Sequence, residues 1–505
     1  MNMQGQQVLV VGLGASGLAM ARWCARLGAQ VTVLDDRAAP PQASTLAQDI
    51  PDARLVNGAL DAQALAHGRF QRICISPGLA PARVSALVDA AHAQGLWVGS
   101  ELGLFTQALR TLHAAQAYQP QVIAITGTNG KTTVTSLTGQ LVARAGKSVA
   151  VAGNIGPTLL DTLAQAIDTQ ALPQVWVLEL SSFQLHYAED FEPTVATVLN
   201  LSQDHLDWHT DLQDYARAKA RIFGSKGLML LNRDDAQVMA MLPEPQRVKL
   251  QKPVQRAHVC FSAQTPSHAG DYGLEEVNGV VWLVRAAPAD ETIKRGRNAP
   301  VEDLFLQRLM PADALRIRGR HNACNALAAV ALASATGCAL GPMLFGLREY
   351  SGEPHRVQSL GLVNAVEYFD DSKGTNVGAT VAALQGLGQD RALVLILGGD
   401  GKGQDFAPLA APVRAYVHTV LLIGRDAALI RQALHNTGVA LHDADSMDDA
   451  VQQAANLAHE GDAVLMSPAC ASFDMFKDYA HRAAVFTQAV QSLALAQGQI
   501  LELAP

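Results

Sequence analysis

A glycine-rich segment followed by Lys-Thr carries the clearest chemistry in this 505-residue sequence. It follows the apolar run 122–125, and its residues are Thr126, Gly127, Thr128, Asn129, Gly130, Lys131, Thr132 and Thr133. The glycines allow a tight turn whose amides point at phosphate oxygens, while Lys131 supplies positive charge and the Thr132 hydroxyl suits Mg²⁺. The general G-x-x-x-x-G-K-[ST] pattern is not fully matched, because Ile125 replaces its first glycine. We predict that this loop binds the phosphates of ATP.

Two polar segments follow later apolar runs, where buried strands are predicted to end. Glu179 comes directly after the run 175–178, and His205 comes shortly after the run 195–199. Carboxyl ends of parallel strands meet at one edge of an open α/β sheet, so both side chains are expected near the phosphate loop. A carboxylate there suits Mg²⁺. A solvated strand-end acid is the alternative for Glu179, and His205 alone indicates little.

A lysine lies on the apolar face of the predicted helix 214–223. Tyr215, Ala218 and Ile222 share that face with Lys219 at helical spacing, whereas the two arginines of the helix point the opposite way. The lysine either extends its amine to water along an apolar surface, or it is desolvated, which lowers its pKa and makes it reactive.

A second glycine-rich turn follows the first apolar run, 8–11. Its residues are Gly12, Leu13, Gly14, Ala15, Ser16 and Gly17, and Asp35 ends the next predicted strand. On its own this arrangement is a fingerprint of a dinucleotide site. A nicotinamide-dependent dehydrogenase is therefore an alternative of a different class.

Length and strand pattern predict an α/β protein of three domains. Short Val/Ile/Leu runs alternate with helix-compatible stretches, which is typical of parallel strands with crossover helices. We predict a Rossmann-like N-terminal domain (1–112), a central domain with a parallel sheet like that of P-loop ATPases (113–352), and a Rossmann-like C-terminal domain (353–505).

Composition narrows the class of protein. Lys plus Arg number 38 against 46 Asp plus Glu, a balance that argues against a general nucleic-acid binder. No apolar stretch reaches the roughly 18 residues of a membrane span, and a polar N-terminus predicts no signal peptide. The six cysteines have no C-x-x-C spacing, which favours isolated thiols. We expect a cytoplasmic monomer without nucleic-acid or membrane partners.

Taken together, these motifs resemble those of the Mur ligases of bacterial cell-wall synthesis over nearly the whole chain. The matching segments are 126–132, 179–184, Asp204-His205, Lys219, 319–325 with its two asparagines, His355-Arg356, 370–376 and 467–474. In this family the lysine matching Lys219 is carbamylated by CO₂. The resemblance implies two Mg²⁺ sites, one held by Thr132 and Glu179 and the other by His205 and carbamylated Lys219.

The resemblance also implies which residues bind ATP and the uridine substrate. Besides the loop, the expected ATP-binding residues are Asn322, Asn325, Arg356 and Asp371, although helix capping is an alternative for the asparagines. The N-terminal domain would hold the UDP moiety of UDP-N-acetylmuramoyl-L-alanine in place of NAD. The residues expected there are Gly14, Ala15, Ser16, Asp35, Asp36, Arg37, Ser76, Pro77, Gly78 and Asn154.

Segments 370–376 and 467–474 resemble those of the family members that add D-glutamate. A dicarboxylate needs cations and hydroxyls. The expected D-glutamate-binding residues are Lys373, Thr375, Lys402, Ser472 and Phe473. One departure is Ala483 after Arg482, where the family is expected to have glycine.

The expected reaction is ATP-dependent amide formation through an acyl phosphate, with Lys131, Glu179, His205 and Lys219 as the catalytic residues. Alternatives are a Mur ligase of other specificity, a folylpolyglutamate synthase, the dehydrogenase, and a non-catalytic ATP-binding switch.

Overall fold

The computed structural model describes residues 2–188, 190–205, 208–246, 253–289, 303–389 and 391–501. Three sheets follow one another along the chain, and the strands are mostly parallel. Each sheet lies within one predicted domain. The α/β class is confirmed. The domain boundaries remain predictions, and the first of them falls inside a helix.

The N-terminal sheet has five parallel strands in the order β3-β2-β1-β4-β5. The strands are β1 (Gln7–Val11), β2 (Gln30–Asp35), β3 (Arg54–Asn57), β4 (Arg72–Ile75) and β5 (Trp97–Gly99). The helices are α1 (Ala15–Arg26), α2 (Ala43–Asp49), α3 (Pro81–Ala93) and α4 (Glu101–Gln116). Val8 and Leu9 are both fully buried although neighbouring side chains point to opposite faces, because both faces of the sheet are covered.

The central sheet has nine strands in the order β14-β13-β12-β11-β10-β9-β6-β8-β7. The strands are β6 (Gln121–Thr126), β7 (Val149–Gly153), β8 (Val175–Glu179), β9 (Val195–Val198), β10 (Leu228–Asn232), β11 (His258–Phe261), β12 (Tyr272–Val277), β13 (Val280–Pro288) and β14 (Leu304–Pro311). The helices are α5 (Lys131–Arg144), α6 (Leu159–Asp168), α7 (Ser182–His186), α8 (Leu212–Ala220), α9 (Ala236–Met239), α10 (Arg320–Ala335) and α11 (Leu340–Glu349). Strands β12 to β14 pair antiparallel and extend one edge of the sheet.

The C-terminal sheet has six strands in the order β15-β16-β20-β17-β18-β19. The strands are β15 (Gln358–Val363), β16 (Val366–Asp370), β17 (Leu393–Gly398), β18 (Val417–Ile423), β19 (Ala440–Asp443) and β20 (Ala463–Met466). The helices are α12 (Val377–Leu387), α13 (Ala410–Tyr416), α14 (Ala427–Leu434), α15 (Met447–Leu457) and α16 (Tyr479–Ala496). Among the described strands of this sheet, β15 alone pairs antiparallel, with β16.

Strand register brings the predicted site residues of the central sheet to one edge. Ile125 in β6 is level with Glu179 in β8, and Thr126 is level with Val198 in β9. The phosphate loop, the acid and the segment containing His205 therefore leave the sheet side by side. All six cysteines are unpaired, as predicted. No helix in the described ranges combines the length and apolar character needed to span a membrane.

Candidate active site

The phosphate loop, 126–133, links β6 to α5, and its backbone requires both glycines. Gly127 and Gly130 have φ values of 157° and 81°. A Cβ atom on Gly130 would lie 2.9 Å from Asn325 Oδ1, and one on Gly127 would lie 3.0 Å from Leu199 Cβ. Ile125, which departs from the general motif, is a fully buried strand residue that contributes to the core.

Lys131 folds back over this loop. Its Nζ donates to the carbonyl oxygens of Gly127 at 3.0 Å and Thr128 at 2.8 Å. Burial lowers the pKa of Lys131, and the charges of Glu179 and Asp204 partly offset that shift. The amine thus lies among the acids of the same sheet edge, where an anionic phosphate would find a concentrated positive charge.

Glu179 presents a carboxylate oxygen that no donor in the described part of the chain satisfies. The residue is 1% exposed, and its Oε1 accepts from Asn154 Nδ2 at 2.7 Å. Its Oε2 is buried and has no hydrogen-bond partner among the described residues. Leaving such an oxygen unpaired is costly, and a cation would compensate for it. The oxygen therefore fits the predicted Mg²⁺ ligand, and Asn154 orients the carboxylate.

Lys219 is buried, so its amine does not reach water. The residue is 1% exposed, and its Nζ donates to Thr126 Oγ1 at 3.2 Å and to the Gly127 carbonyl at 2.8 Å. The same nitrogen lies 4.5 Å from the centre of the Tyr215 ring. Burial, and then repulsion from Lys131, hold the pKa of Lys219 well below its usual value. A neutral amine is the form that reacts with CO₂.

The helix carrying Lys219 is shorter than predicted. Helix α8 ends at Ala220, and a 3₁₀ turn spans Arg221–Phe223. Ile222 lies in that turn yet remains fully buried. The predicted apolar face is therefore confirmed, although its last member is outside the α-helix.

His205 lies beside Asp204 at the same edge. Its Nε2 is 3.7 Å from Asp204 Oδ2, and its ring packs against Phe183 with 4.8 Å between ring centres. Burial lowers the pKa of His205, and the positive charges of Lys131 and Lys219 lower it further, against the opposing effect of Asp204. A lowered pKa favours the neutral imidazole, which is the form that ligates metals or accepts a proton.

A cavity opens between the phosphate loop and the C-terminal domain. Its lining includes Asn129, Gly130, Asn322, Asn325, Arg356 and Asp371. Asn325 Nδ2 donates to Asn322 Oδ1 at 3.0 Å. Helix α10 begins at Arg320 after Gly319, so the two asparagines do not occupy the N-cap position. The capping alternative is therefore wrong.

Two of these lining residues, Arg356 and Asp371, come from the C-terminal domain. Arg356 Nη2 donates to Thr132 Oγ1 at 2.6 Å and so links the C-terminal domain to the loop. Asp371 accepts from Ser467 Oγ at 2.6 Å and from the Val357 amide at 3.2 Å. Burial raises the pKa of Asp371 to about 7.

The two segments predicted to bind D-glutamate lie together. Asp370 is level with Met466 in adjacent strands. Buried Arg482 donates to the Cys470 carbonyl at 3.1 Å and to the Ser372 carbonyl at 2.8 Å. One guanidinium therefore joins both segments, and Ala483 beside it is fully buried.

The individual side chains predicted to bind D-glutamate, which include Lys402 outside these two segments, differ in burial. Lys373 Nζ lies 5.2 Å from the centre of the Tyr479 ring, and burial lowers the pKa of Lys373. Ser472 is buried and Thr375 half-buried, whereas Lys402 is exposed and Phe473 is 67% exposed. Phe473 is thus mainly a surface residue in this arrangement.

Nine of the ten residues predicted to bind the uridine substrate lie at the carboxyl edge of the N-terminal sheet, whereas Asn154 follows β7 in the central domain and donates to Glu179. Asp35 Oδ2 accepts from the Leu13 amide at 2.7 Å and from Arg37 Nη2 at 2.7 Å, and the pairing with Arg37 lowers the pKa of Asp35 to about 2. Asp36 pairs with Arg83. Gly14, Ala15 and Ser16 begin helix α1, and Ser76, Pro77 and Gly78 directly follow β4. This geometry by itself suits either UDP or NAD.

Two asparagines were not among the predicted site residues. Asn200 Oδ1 accepts from the Asn129 amide at 2.9 Å, and Asn200 Nδ2 donates to the Asn129 carbonyl at 3.1 Å. Asn376 Nδ2 donates to Asn129 Oδ1 at 3.1 Å from the C-terminal domain. The position of Asn200 directly after an apolar strand was the available sequence signal.

Glu101 is a buried acid near the uridine site, and it should make stability depend on pH. Its Oε1 accepts from the Leu160 amide at 3.1 Å, and burial raises its pKa from 4.5 to about 7. The folded state therefore holds this proton more tightly than the unfolded state. The contribution of this proton to the free energy of unfolding is fully present below pH 4.5 and is lost as pH rises through about 7. This contribution amounts to about 3 kcal/mol.

Replacing Glu101 with glutamine should remove this dependence. We expect Glu101→Gln to raise the thermal unfolding midpoint at pH 8 and to change it little at pH 5. Glu349→Gln, at an exposed ion pair with Arg144, is the matched control and should shift neither midpoint appreciably. An equal shift for Glu101→Gln at both pH values would contradict this assignment.

Three family models match successive parts of the chain. They are the MurD-like N-terminal domain of Mur ligases at residues 6–99, the Mur ligase middle domain at 125–278, and the glutamate ligase domain of Mur ligases at 355–470.

Relatives match over nearly the full length. The UDP-N-acetylmuramoylalanine--D-glutamate ligase of Albidiferax ferrireducens is 63% identical over 99% of both chains. The protein of the same name from Polaromonas sp. is 55% identical over 99% of this chain and 100% of that one.

Among solved structures, the MurF ligase of Thermotoga maritima in complex with ADP has a TM-score of 0.56 at 15% identity, covering 97% of this chain and 96% of that one. UDP-N-acetylmuramate-alanine ligase of the same organism has a TM-score of 0.53 at 18% identity, covering 97% and 99%. These two structures support the fold.

Proposed function

Because this chain belongs to the Mur ligase family, we propose that it joins D-glutamate to UDP-N-acetylmuramoyl-L-alanine at the expense of ATP. The 63% identity to the Albidiferax ferrireducens ligase over 99% of both chains carries the choice of substrate. The product is a peptidoglycan precursor. We further propose that the enzyme works in the cytoplasm as a monomer.

The reaction needs no protein nucleophile. The alanine carboxylate of the uridine substrate attacks the γ-phosphorus of ATP, which gives an acyl phosphate and releases ADP. The D-glutamate amine then attacks the acyl carbon, so that the amide forms and phosphate leaves. Such phosphoryl transfers depend on positioning and charge neutralisation, which is the role proposed for Lys131. The neutral His205 and the Lys219 carbamate are the candidate acceptors of the ammonium proton.

The donor set at this edge fits Mg²⁺. Glu179 Oε2 is buried and accepts no hydrogen bond from any residue that the structure describes, and Thr132 is in the first turn of α5. Reaction of the Lys219 amine with CO₂ would release a proton and add a second carboxylate-like ligand beside His205. Bound Mg²⁺ would neutralise charge on the β- and γ-phosphate oxygens. The proposal is supported by two features that are costly without a ligand, the unpaired oxygen and the buried amine.

If the N-terminal domain binds the uridine substrate, replacing Arg37 should weaken binding of that substrate and leave ATP binding unchanged. Half-exposed Arg37 pairs with Asp35. In an NAD site, an acid at the position of Asp35 would instead bind a ribose hydroxyl. We expect Arg37→Ala to raise the KM for UDP-N-acetylmuramoyl-L-alanine about 10-fold or more while the KM for ATP stays the same. Titration with uridine nucleotides and NAD(H) provides the direct comparison. Tight NAD(H) binding without UDP-sugar binding would favour the dehydrogenase instead.

The D-glutamate assignment predicts a different selective loss. Lys373 is partly buried on the Tyr479 ring beside Arg356, and it offers a cation to a substrate carboxylate. We expect Lys373→Met to raise the KM for D-glutamate about 10- to 100-fold, as expected for a lost charge-assisted contact. Lys477→Met, at an exposed lysine of the same domain, is the control. Equal KM values for the two variants would contradict the assignment.

One assay tests the proposed function as a whole. Phosphate release from ATP should require both UDP-N-acetylmuramoyl-L-alanine and D-glutamate. Stimulation by a folate substrate would indicate a folylpolyglutamate synthase, stimulation by another amino acid would indicate a different Mur ligase, and ATP binding without turnover would indicate a switch.

A further inference from the structure

Three side chains that can ligate metals lie together at the amino-terminal edge of the C-terminal sheet. His418 is in β18, and His459 and Asp462 belong to the turn that leads into β20. One ligand atom of each lies within 4.8 Å of the other two. In the described part of the chain, no other group of three or more His, Cys, Asp or Glu side chains meets this spacing.

The Asp462 carboxylate is the centre of this cluster. Its Oδ2 lies 2.9 Å from His418 Nε2 and 3.4 Å from His459 Nδ1. The turn fixes it, because the His459 amide donates to the same oxygen at 2.7 Å and the Asp462 amide donates to the His459 carbonyl at 3.0 Å. Only 10% of the Asp462 side chain is exposed. The carboxylate is therefore held in place by the backbone before any ligand binds.

The two imidazoles approach this carboxylate from different elements. His418 is also held through its second nitrogen, since Nδ1 lies 3.0 Å from Thr419 Oγ1, a contact of the kind that orients metal-ligating histidines. His459 is 80% exposed and lies with its ring centre 5.4 Å from that of His418. It can adjust its position, and it leaves one side of the cluster open to solvent.

We propose that His418, His459 and Asp462 form a site for a divalent transition-metal ion, with Zn²⁺ as the expected occupant. Ligand atoms of tetrahedral zinc lie about 3.4 Å apart, given bonds of about 2.1 Å. The 3.4 Å between Asp462 Oδ2 and His459 Nδ1 equals that value, and the 2.9 Å between Asp462 Oδ2 and His418 Nε2 would have to lengthen by about 0.5 Å. Two imidazoles and one carboxylate favour Zn²⁺ over Mg²⁺, which prefers oxygen ligands. The fourth position would be filled by water.

This metal site lies at the end of the sheet opposite to the proposed substrate site, so the bound ion would stabilise the fold and take no part in the reaction. Strands β18 and β20 begin beside it, whereas Ser467, Ser472 and Lys373 follow the opposite, carboxyl ends of the sheet. Strand β17 lies between β18 and β20, so the ion would join two strands that do not pair with each other. Binding to the folded state alone stabilises it by mass action.

The test uses the full chain after treatment with EDTA, in a buffer with excess Mg²⁺ to occupy oxygen-rich sites. Zn²⁺ binding is measured by equilibrium dialysis, and thermal unfolding is followed with and without Zn²⁺. The variants are His418→Ala, His459→Ala and, as a matched control, His435→Ala at an exposed histidine of the same domain. The exposure of His459 makes its variant safe for folding.

We expect the unaltered chain and His435→Ala to bind one more Zn²⁺ than His418→Ala and His459→Ala, and only the first two to gain thermal stability from this ion. Zinc bound at the proposed Mg²⁺ site around Glu179 would be present in all four proteins. It would therefore not produce a difference in zinc stoichiometry between them. Equal zinc stoichiometry and equal midpoint shifts in all four would overturn the proposal, as would no binding below millimolar zinc.

Discussion

Replacing Lys219 with methionine is expected to lower kcat by about 10²- to 10³-fold or more, the loss typical of removing a preorganised electrostatic group. The amine is buried, it contacts Thr126 and Gly127 of the phosphate loop, and its pKa is well below the usual value. Methionine matches the volume of lysine but cannot form a carbamate. Steady-state phosphate release is the measurement.

The variant should remain folded, because it removes a buried polar group without leaving a cavity. Lys219→Ala should be equally inactive, although its cavity would reduce stability. Arg217→Ala, on the exposed face of the same helix, should keep full activity. Activity of the unaltered enzyme should also fall when CO₂ is removed and return when bicarbonate is added. Full activity of Lys219→Met would defeat the carbamate proposal.

Replacing Glu179 with glutamine should lower kcat by an amount second only to that expected for Lys219→Met. Glutamine keeps the Oε1 acceptor for Asn154 but puts a neutral amide where the unpaired Oε2 stands. We expect kcat to fall about 10²- to 10³-fold, as for other losses of charge stabilisation in a buried site, and the Mg²⁺ concentration for half-maximal rate to rise. Rates measured across a Mg²⁺ titration test both.

Two controls separate loss of charge from loss of structure. Glu349→Gln changes an exposed acid of the same domain and should leave the Mg²⁺ dependence unchanged. The thermal midpoint of Glu179→Gln should not fall, because burying an unpaired carboxylate is unfavourable in the free enzyme. An unchanged Mg²⁺ titration for Glu179→Gln would exclude this acid as a ligand.

The sequence predicted the elements that follow from local pattern. Apolar runs such as 122–125 and 175–178 marked strands β6 and β8, because strands covered on both faces are almost continuously apolar. Helical spacing placed Lys219 on the buried face of α8. The pattern did not place the end of that helix, since the switch to a 3₁₀ turn depends on how the chain packs after Ala220.

Long-range contacts were beyond such reasoning. Asn129 and Asn376 are far apart in sequence, and they meet only because the C-terminal domain packs over the phosphate loop. Phe473 lies in a matching motif yet is largely exposed, since a motif specifies residue types and not orientation. The NAD and UDP alternatives could not be separated by the turn at Gly14, which offers helix amides to either diphosphate.

By itself the sequence determined the α/β class, the glycine-rich turn between a strand and a helix at Thr126–Thr133 and the position of Lys219 on the apolar face of its helix, because each depends on residues close together in the chain. Only the tertiary structure decided that the Lys219 amine is desolvated against Gly127 and that, among the described residues, none donates a hydrogen bond to Glu179 Oε2. Those properties depend on burial, which is set by segments distant in sequence that pack at one sheet edge.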